Sequence, residues 1–144
     1  YWHSMILEQI RRNAVAIISL AVALSSLAYN TWRNEYSEAN KTTRDAGFFM
    51  MQELSELQEV VLYARYERDD ERGNIKSAWS HVLAVKDISY AMPTEVQQHA
   101  QQLLRVWQAN ASNLQDDEND AYKHVDQAID DMKQQIIITI KALK

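Results

Sequence analysis

Residues Ala14 to Tyr29 read AVAIISLAVALSSLAY, sixteen positions without a charge. Arg11 and Arg12 precede the run, and Trp32 and Arg33 follow it. With Asn13, Asn30 and Thr31 the uncharged stretch extends from Asn13 to Thr31, close to the roughly 20 residues a helix needs to cross the hydrocarbon core. A helix on the surface of a soluble core is apolar along one stripe, whereas this one is apolar all round. Residues 13–31 are therefore read as a transmembrane helix, with 1–12 as its N-terminal flank and 32–144 as an extramembrane helical domain. Tyr29 and Trp32 fall where amphipathic rings favour the membrane–water boundary.

A cleaved export signal is the competing reading of the same segment. From Met5 the order is two arginines, an apolar run, then Ser26-Leu27-Ala28, with small residues at the two positions a signal peptidase reads. Cleavage after Ala28 would release a soluble exported domain. Glu8 is unusual in such a leader, and the helical pattern runs on past Ala28, so a retained anchor is preferred. Arg11 and Arg12 abut one end of the apolar run, while Arg33, Lys41 and Arg44 follow the other. The paired arginines favour a cytoplasmic N-terminus and a periplasmic C-terminal domain. The chain starts on Tyr1 and not on methionine, which leaves room for residues before it.

Outward from this segment the composition points to helices only. There are 144 residues, with two glycines and one proline. Sheets need turns, and turns draw on Gly, Pro, Asn and Asp. Trp32, Tyr36, Ala39, Thr43, Ala46 and Met50 continue an apolar stripe at 3–4 spacing, followed by Leu54, Leu57, Val61 and Ala64. The two successive four-residue steps around Met50 form a stutter. Gly47 beside it is a packed helical glycine first and a hinge second.

Glu67 to Asn74 (ERDDERGN) is the first break, and Gly73 suits its turn. A second helix follows from about Ile75 to Ala91 and stops before Pro93. Thr94 and Gln97 have the spacing of a capping box at the start of a third helix. Ser112 to Asp117 is a connection, and Ala121, Val125, Ala128, Ile129, Met132, Ile136 and Ile140 mark a fourth helix. The expected fold is all-α: the transmembrane helix continues into an up-down-up-down four-helix bundle with coiled-coil-like seams. The run Ile136 to Ile140 is more apolar than one buried face needs. It is expected to cover a wide face of the first helix, ahead of docking on a second copy or touching lipid.

Chemistry is sparse. The net charge is −5, with no long run of Lys or Arg, which argues against a nucleic-acid partner. No cysteine is present, so disulfides and Cys-based zinc sites are excluded. Among the histidines His3, His81, His99 and His124 there is no Glu-x-x-His motif of the di-iron kind. Glu95 with His99, and Asp120 with His124, each span one helical turn and offer a weak two-ligand site. A solvated hydrogen-bonded pair is the stronger reading, and no metal ligand is assigned. Asp116-Asp117-Glu118-Asn119-Asp120 lacks the glycine and the bidentate glutamate of a calcium loop; Ala121 and Gln127 stand there. Those acids suit a helix N-terminus. Trp79 and Trp107 fit the apolar stripes as core residues. The cluster from Arg65 to Arg72 reads as a solvated turn with local ion pairs. No phosphate loop, nucleophile elbow or Cys–His pair occurs, so no catalytic or cofactor-binding residue is assigned and the protein is not expected to be an enzyme.

The runs NAVAIISLAVALSSLAYNTWRNE (Asn13 to Glu35) and GNIKSAWSHVLAVKDIS (Gly73 to Ser89) resemble an uncharacterised family of small, single-span bacterial inner-membrane proteins. The resemblance covers about two-thirds of the chain. It implies an inner-membrane location and carries no activity, ligand or site. A looser likeness, at the level of fold only, is to the four-helix periplasmic sensing domains of chemoreceptors. Up to Lys144 no second membrane helix or cytoplasmic signalling segment follows the bundle, so unless the chain is truncated it is not expected to pass a signal inward in their way. The expected role is a membrane-anchored interaction module, an adaptor or accessory subunit, whose partners are the lipid bilayer and a protein or a second copy. Small residues four apart, Ala21 with Ser25 and Ser19 with Ala23, suit a homodimer. The alternative is a periplasmic ligand-sensing four-helix domain, complete or cut from a longer receptor, with a pocket between helices near Trp79 and Trp107.

Overall fold

The apolar periodicity resolves into four α-helices in the computed structural model, which describes residues 1–116 and 120–143. They are α1 (Trp2–Leu62), α2 (Ile75–Ile88), α3 (Thr94–Asn110) and α4 (Ala121–Ala142), with no strand among the described residues. The chain divides into two compact units, Tyr1–Ala39 and Asn40–Lys144.

In the first unit every residue is exposed, including Val15, Ile17, Ile18, Leu20, Val22 and Leu24. This part of α1 contains a stretch long and apolar enough to cross a membrane. Tyr29, Trp32 and Tyr36 stand one turn apart at its end. Trp32 lies 6.2 Å from Tyr29 and stacks on Tyr36 at 5.8 Å between ring centroids. The apolar stripe read through Trp32, Tyr36 and Ala39 is thus uncovered in this unit.

In the second unit the stripe is covered from Ala46 onward. Met50, Leu54, Leu57 and Val61 are buried at the positions the spacing picks out. They share one core with Ala78, Val82 and Val85 of α2, Val96, Leu103 and Trp107 of α3, and Val125, Ile129, Met132 and Ile136 of α4. Gly47 lies inside the uninterrupted α1. A Cβ there would stand 2.7 Å from Ile140 Cδ1 and 3.4 Å from Ile136 Cγ2. The glycine therefore lets α4 approach α1 closely, which accounts for its burial without a hinge. Of the expected isoleucine cover, Ile136 is buried and Ile140 partly so, while Ile137 and Ile138 remain exposed. A polar seam joins the same two helices. Lys133 Nζ donates to Gln58 Oε1 at 2.7 Å, and Gln58 Nε2 donates to Asp126 Oδ1 at 3.4 Å.

The helix ends refine the reading. After Leu62 the chain widens into one π-helical turn, Tyr63–Glu67, which ends on Arg68 in the left-handed region (φ 50°, ψ 36°). Asp69 then organises the turn, its Oδ1 accepting from the N–H groups of Glu71 and Arg72 at 3.0 and 3.1 Å. Asn74 caps α2, its side chain accepting from the Lys76 N–H. The expected capping box on α3 is not formed. Pro93 is the N-cap and Thr94 is already helical; Gln97 Nε2 reaches back to the Met92 carbonyl at 2.8 Å instead of to Thr94. Pro93 has the backbone of a cap (φ −57°, ψ 160°) and its carbonyl accepts from the Val96 and Gln97 N–H groups, so the helix is entered one residue earlier than the Thr-x-x-Gln spacing suggests.

The two glycines differ in what surrounds them. A Cβ on Gly73 would meet backbone: Ala64 N at 2.5 Å, Ala64 Cα at 2.6 Å and the Asp69 carbonyl oxygen at 2.6 Å. Those atoms are held by the π turn and by the Gly73 N–H bond to that same carbonyl. Gly73→Ala is expected to lower unfolding free energy by about 2–3 kcal/mol, as overpacking against rigid atoms does. Gly47→Ala is expected to be nearly neutral, because a flexible isoleucine tip moves aside and alanine favours a helix interior over glycine by about 1 kcal/mol. Urea unfolding of both variants in detergent checks the pair; equal losses would contradict it.

Candidate functional site

The side chains that flank the core seam of α1 and α2 form the most chemically pointed cluster. Leu54 and Leu57 are buried, which fixes the rotation of α1. Glu53 and Glu56, each one residue earlier, consequently share a flank one turn apart. On α2 the buried Val82 does the same for His81. Across the seam His81 Nδ1 lies 2.6 Å from Glu53 Oε2 and 3.4 Å from Glu56 Oε2. The side chains are 18% (His81), 28% (Glu53) and 45% (Glu56) exposed, so they are held by the helices yet reachable from solvent. Three potential ligand atoms converge there, all within 4.8 Å of one another. An adjoining groove of about 500 Å³ is lined by Glu56, His81, Glu59, Tyr63 and Arg72. The Arg72 guanidinium lies 5.3 Å from the Tyr63 ring centroid. Its pKa is raised, first by its hydrogen bond with Tyr63 and then by the charges around it.

A larger groove of about 750 Å³ runs between α3 and α4. His99 and His124 both line it, with Gln102, Arg105, Gln127 and Asp131. Arg105 donates to Gln102 Oε1 through Nη2 at 2.7 Å, and Gln127 donates to Asp131 Oδ1 at 2.8 Å.

The pairs singled out in the sequence take other partners. His99 Nδ1 lies 2.8 Å from the backbone carbonyl of Glu95, not its carboxylate. Asp120 faces Lys123 at 3.8 Å, while its backbone carbonyl accepts from the His124 N–H. Of the acidic run from Asp116 to Asp120, residues 117–119 lie outside the described residues. Trp107 is fully buried, and Trp79 packs edge-on against it at 6.1 Å and 82°. Arg65 of the charged turn lies over the rings of Tyr66 and Tyr122 at 5.8 and 6.0 Å. Tyr122 meets Tyr66 edge to face at 5.4 Å. Burial pushes the Tyr122 phenol up to about 12, helped by the negative charge of Asp126.

Spacing along the chain does not join His81 to Glu53 and Glu56. The 28-residue separation crosses two helices and a turn. One signal was available: two glutamates three apart, each directly before a stripe leucine.

No protein-family model, curated protein or solved structure matches this chain.

Proposed function

We propose that this is a single-span, membrane-anchored helical interaction module, an adaptor or accessory subunit of the bacterial inner membrane with its C-terminal domain in the periplasm. The observation that carries the reading is the complete exposure of an apolar helical stretch in residues 13–31. Lipid is the solvent in which such a surface is stable, since its backbone groups are already paired along the helix. The ring ladder of Tyr29, Trp32 and Tyr36 suits one boundary of that solvent. The resemblance of Asn13–Glu35 and Gly73–Ser89 to single-span inner-membrane proteins points the same way.

The remaining residues form an up-down-up-down bundle in this reading. Support comes from the pairing of α1 with α2 through His81 and with α4 through Gly47, and of α3 with both α2 and α4. The adaptor role is supported by Phe48 and Phe49, 59% and 62% exposed side by side on α1. A large exposed apolar pair is what a protein contact uses. A second reading, a ligand-sensing domain, is supported by the groove between α3 and α4, which is lined by neither Trp79 nor Trp107 and where His99, His124 and Arg105 offer donors to an anionic metabolite beside Leu103, Val106 and Ala109.

The test is recovery of the tagged full-length chain from cross-linked native membranes. A stoichiometric protein partner that is lost on Phe48→Glu with Phe49→Glu supports the adaptor. Free monomer alone, together with a thermal shift from a small anion, moves the assignment to sensing.

A further inference from the structure

We propose that Glu53, Glu56 and His81 form a binding site for one borderline divalent transition ion of the zinc class. Two carboxylate oxygens and one imidazole nitrogen are the donor types zinc takes, at about 2.0–2.2 Å from each. In a tetrahedral shell such donors stand about 3.3 Å apart by that bond length. The separation of His81 Nδ1 from Glu56 Oε2, 3.4 Å, already matches. The 2.6 Å separation from Glu53 Oε2 is that of a hydrogen bond. Opening it by about 0.7 Å gives the same tetrahedral edge, and the ligand atoms of Glu53 and Glu56 lie within 4.8 Å of one another. The ion then takes the place of the hydrogen bond between His81 and Glu53.

Charge and position agree with the donors. Two carboxylates held one turn apart on a half-buried flank repel each other, and a dication neutralises both. The three ligands come from two helices whose rotation the core sets through Leu54, Leu57 and Val82, so the site is carried on rigid elements. Glu56 and His81 also line the 500 Å³ groove, which gives the fourth coordination position access to water or to a ligand. Three protein ligands with an open position is the arrangement of reactive zinc sites, in contrast to closed structural ones. The imidazole directs the choice away from Mg²⁺ and Ca²⁺, which prefer all-oxygen shells.

The experiment uses the full-length chain in detergent, stripped with chelator and titrated with Zn²⁺ by calorimetry and with Co²⁺ by absorption. One Zn²⁺ per chain is expected, with a rise in Tm. Co²⁺ is expected to give the d–d bands of a tetrahedral N/O site, and excess Mg²⁺ or Ca²⁺ is expected to leave both unchanged. His81→Gln is expected to weaken binding by more than the roughly 10–100-fold that loss of an outer-shell partner costs. Glu56→Gln, on the more exposed ligand, is expected to do so while far-UV circular dichroism stays native. His99→Gln and His124→Gln are expected to bind as the parent does. Absence of saturable Zn²⁺ binding, or binding that survives both His81→Gln and Glu56→Gln, overturns the site. Loss through His124→Gln instead moves the metal to the groove between α3 and α4 and overturns it equally.

Discussion

Ile18→Arg combined with Val22→Arg is expected to strip the full-length protein from the membrane. Both residues are exposed on one face of α1, four positions apart, near the middle of the uncharged stretch. Arginine at a span centre costs about 2.5–3.5 kcal/mol on insertion scales, and the isoleucine or valine it replaces gave up to about 0.6 in favour. The double change therefore removes about 6–8 kcal/mol of insertion free energy. Neither arginine is close enough to an end of the stretch to reach the headgroups without distorting the bilayer. The measurement is partition of the chain after alkaline carbonate extraction of membranes. The parent is expected in the pellet and the double variant in the supernatant or degraded. Arginine at Phe48, in the second unit, is expected to leave partition unchanged. A parent protein already soluble, with a mature N-terminus just after Ala28, would replace the anchor by a cleaved signal.

Trp107→Ala is expected to lower the unfolding free energy of the helical domain by about 3–5 kcal/mol, the range for truncating a fully buried aromatic. Trp107 has no accessible surface, and its loss also removes the edge-on contact with Trp79. Trp107→Phe is expected to behave differently, changing stability by about 1 kcal/mol or less. The indole Nε1 is buried without a hydrogen-bond partner among the described residues. An unpaired buried donor costs about 1–3 kcal/mol, and phenylalanine removes that cost along with part of the packing. Urea unfolding followed by circular dichroism separates the two substitutions. A Phe variant as unstable as the Ala variant means that Nε1 is hydrogen-bonded in solution, and the explanation from an unsatisfied donor falls.

Much of the helical frame was legible residue by residue. The stripe from Ala46 to Ala64 is the buried face of the second unit, because a 3–4 alternation leaves one side of a helix apolar and only that side packs. The break at Glu67–Asn74 and the stop at Pro93 followed from charge and from proline's geometry. What was misread is local. The Thr94–Gln97 spacing matches a capping box, yet Pro93 takes the cap position and sends Gln97 to Met92. The π turn at Tyr63–Glu67 left no periodic mark, since one widened turn lies within the tolerance of a 3–4 pattern. Gly73 lies in the turn its position suggests, and the structure adds the reason: no glycine has a positive φ, and a Cβ there would meet the backbone of Ala64 and Asp69.

The helical character of this chain and the all-round apolar surface of residues 13–31 can be read from the residues in order. Both properties are local: propensity and hydropathy belong to neighbours along the chain. Which side chains meet across helices is set by how one helix packs on another. Glu53, Glu56 and His81 are ordinary flank residues until the burial of Leu54, Leu57 and Val82 sets the rotation of α1 and α2 and turns them toward one another. Gly47 likewise acquires its meaning only when Ile136 and Ile140 of α4 lie against it. Helix phase relative to a partner is fixed by packing between distant segments, and no periodicity within one segment encodes it.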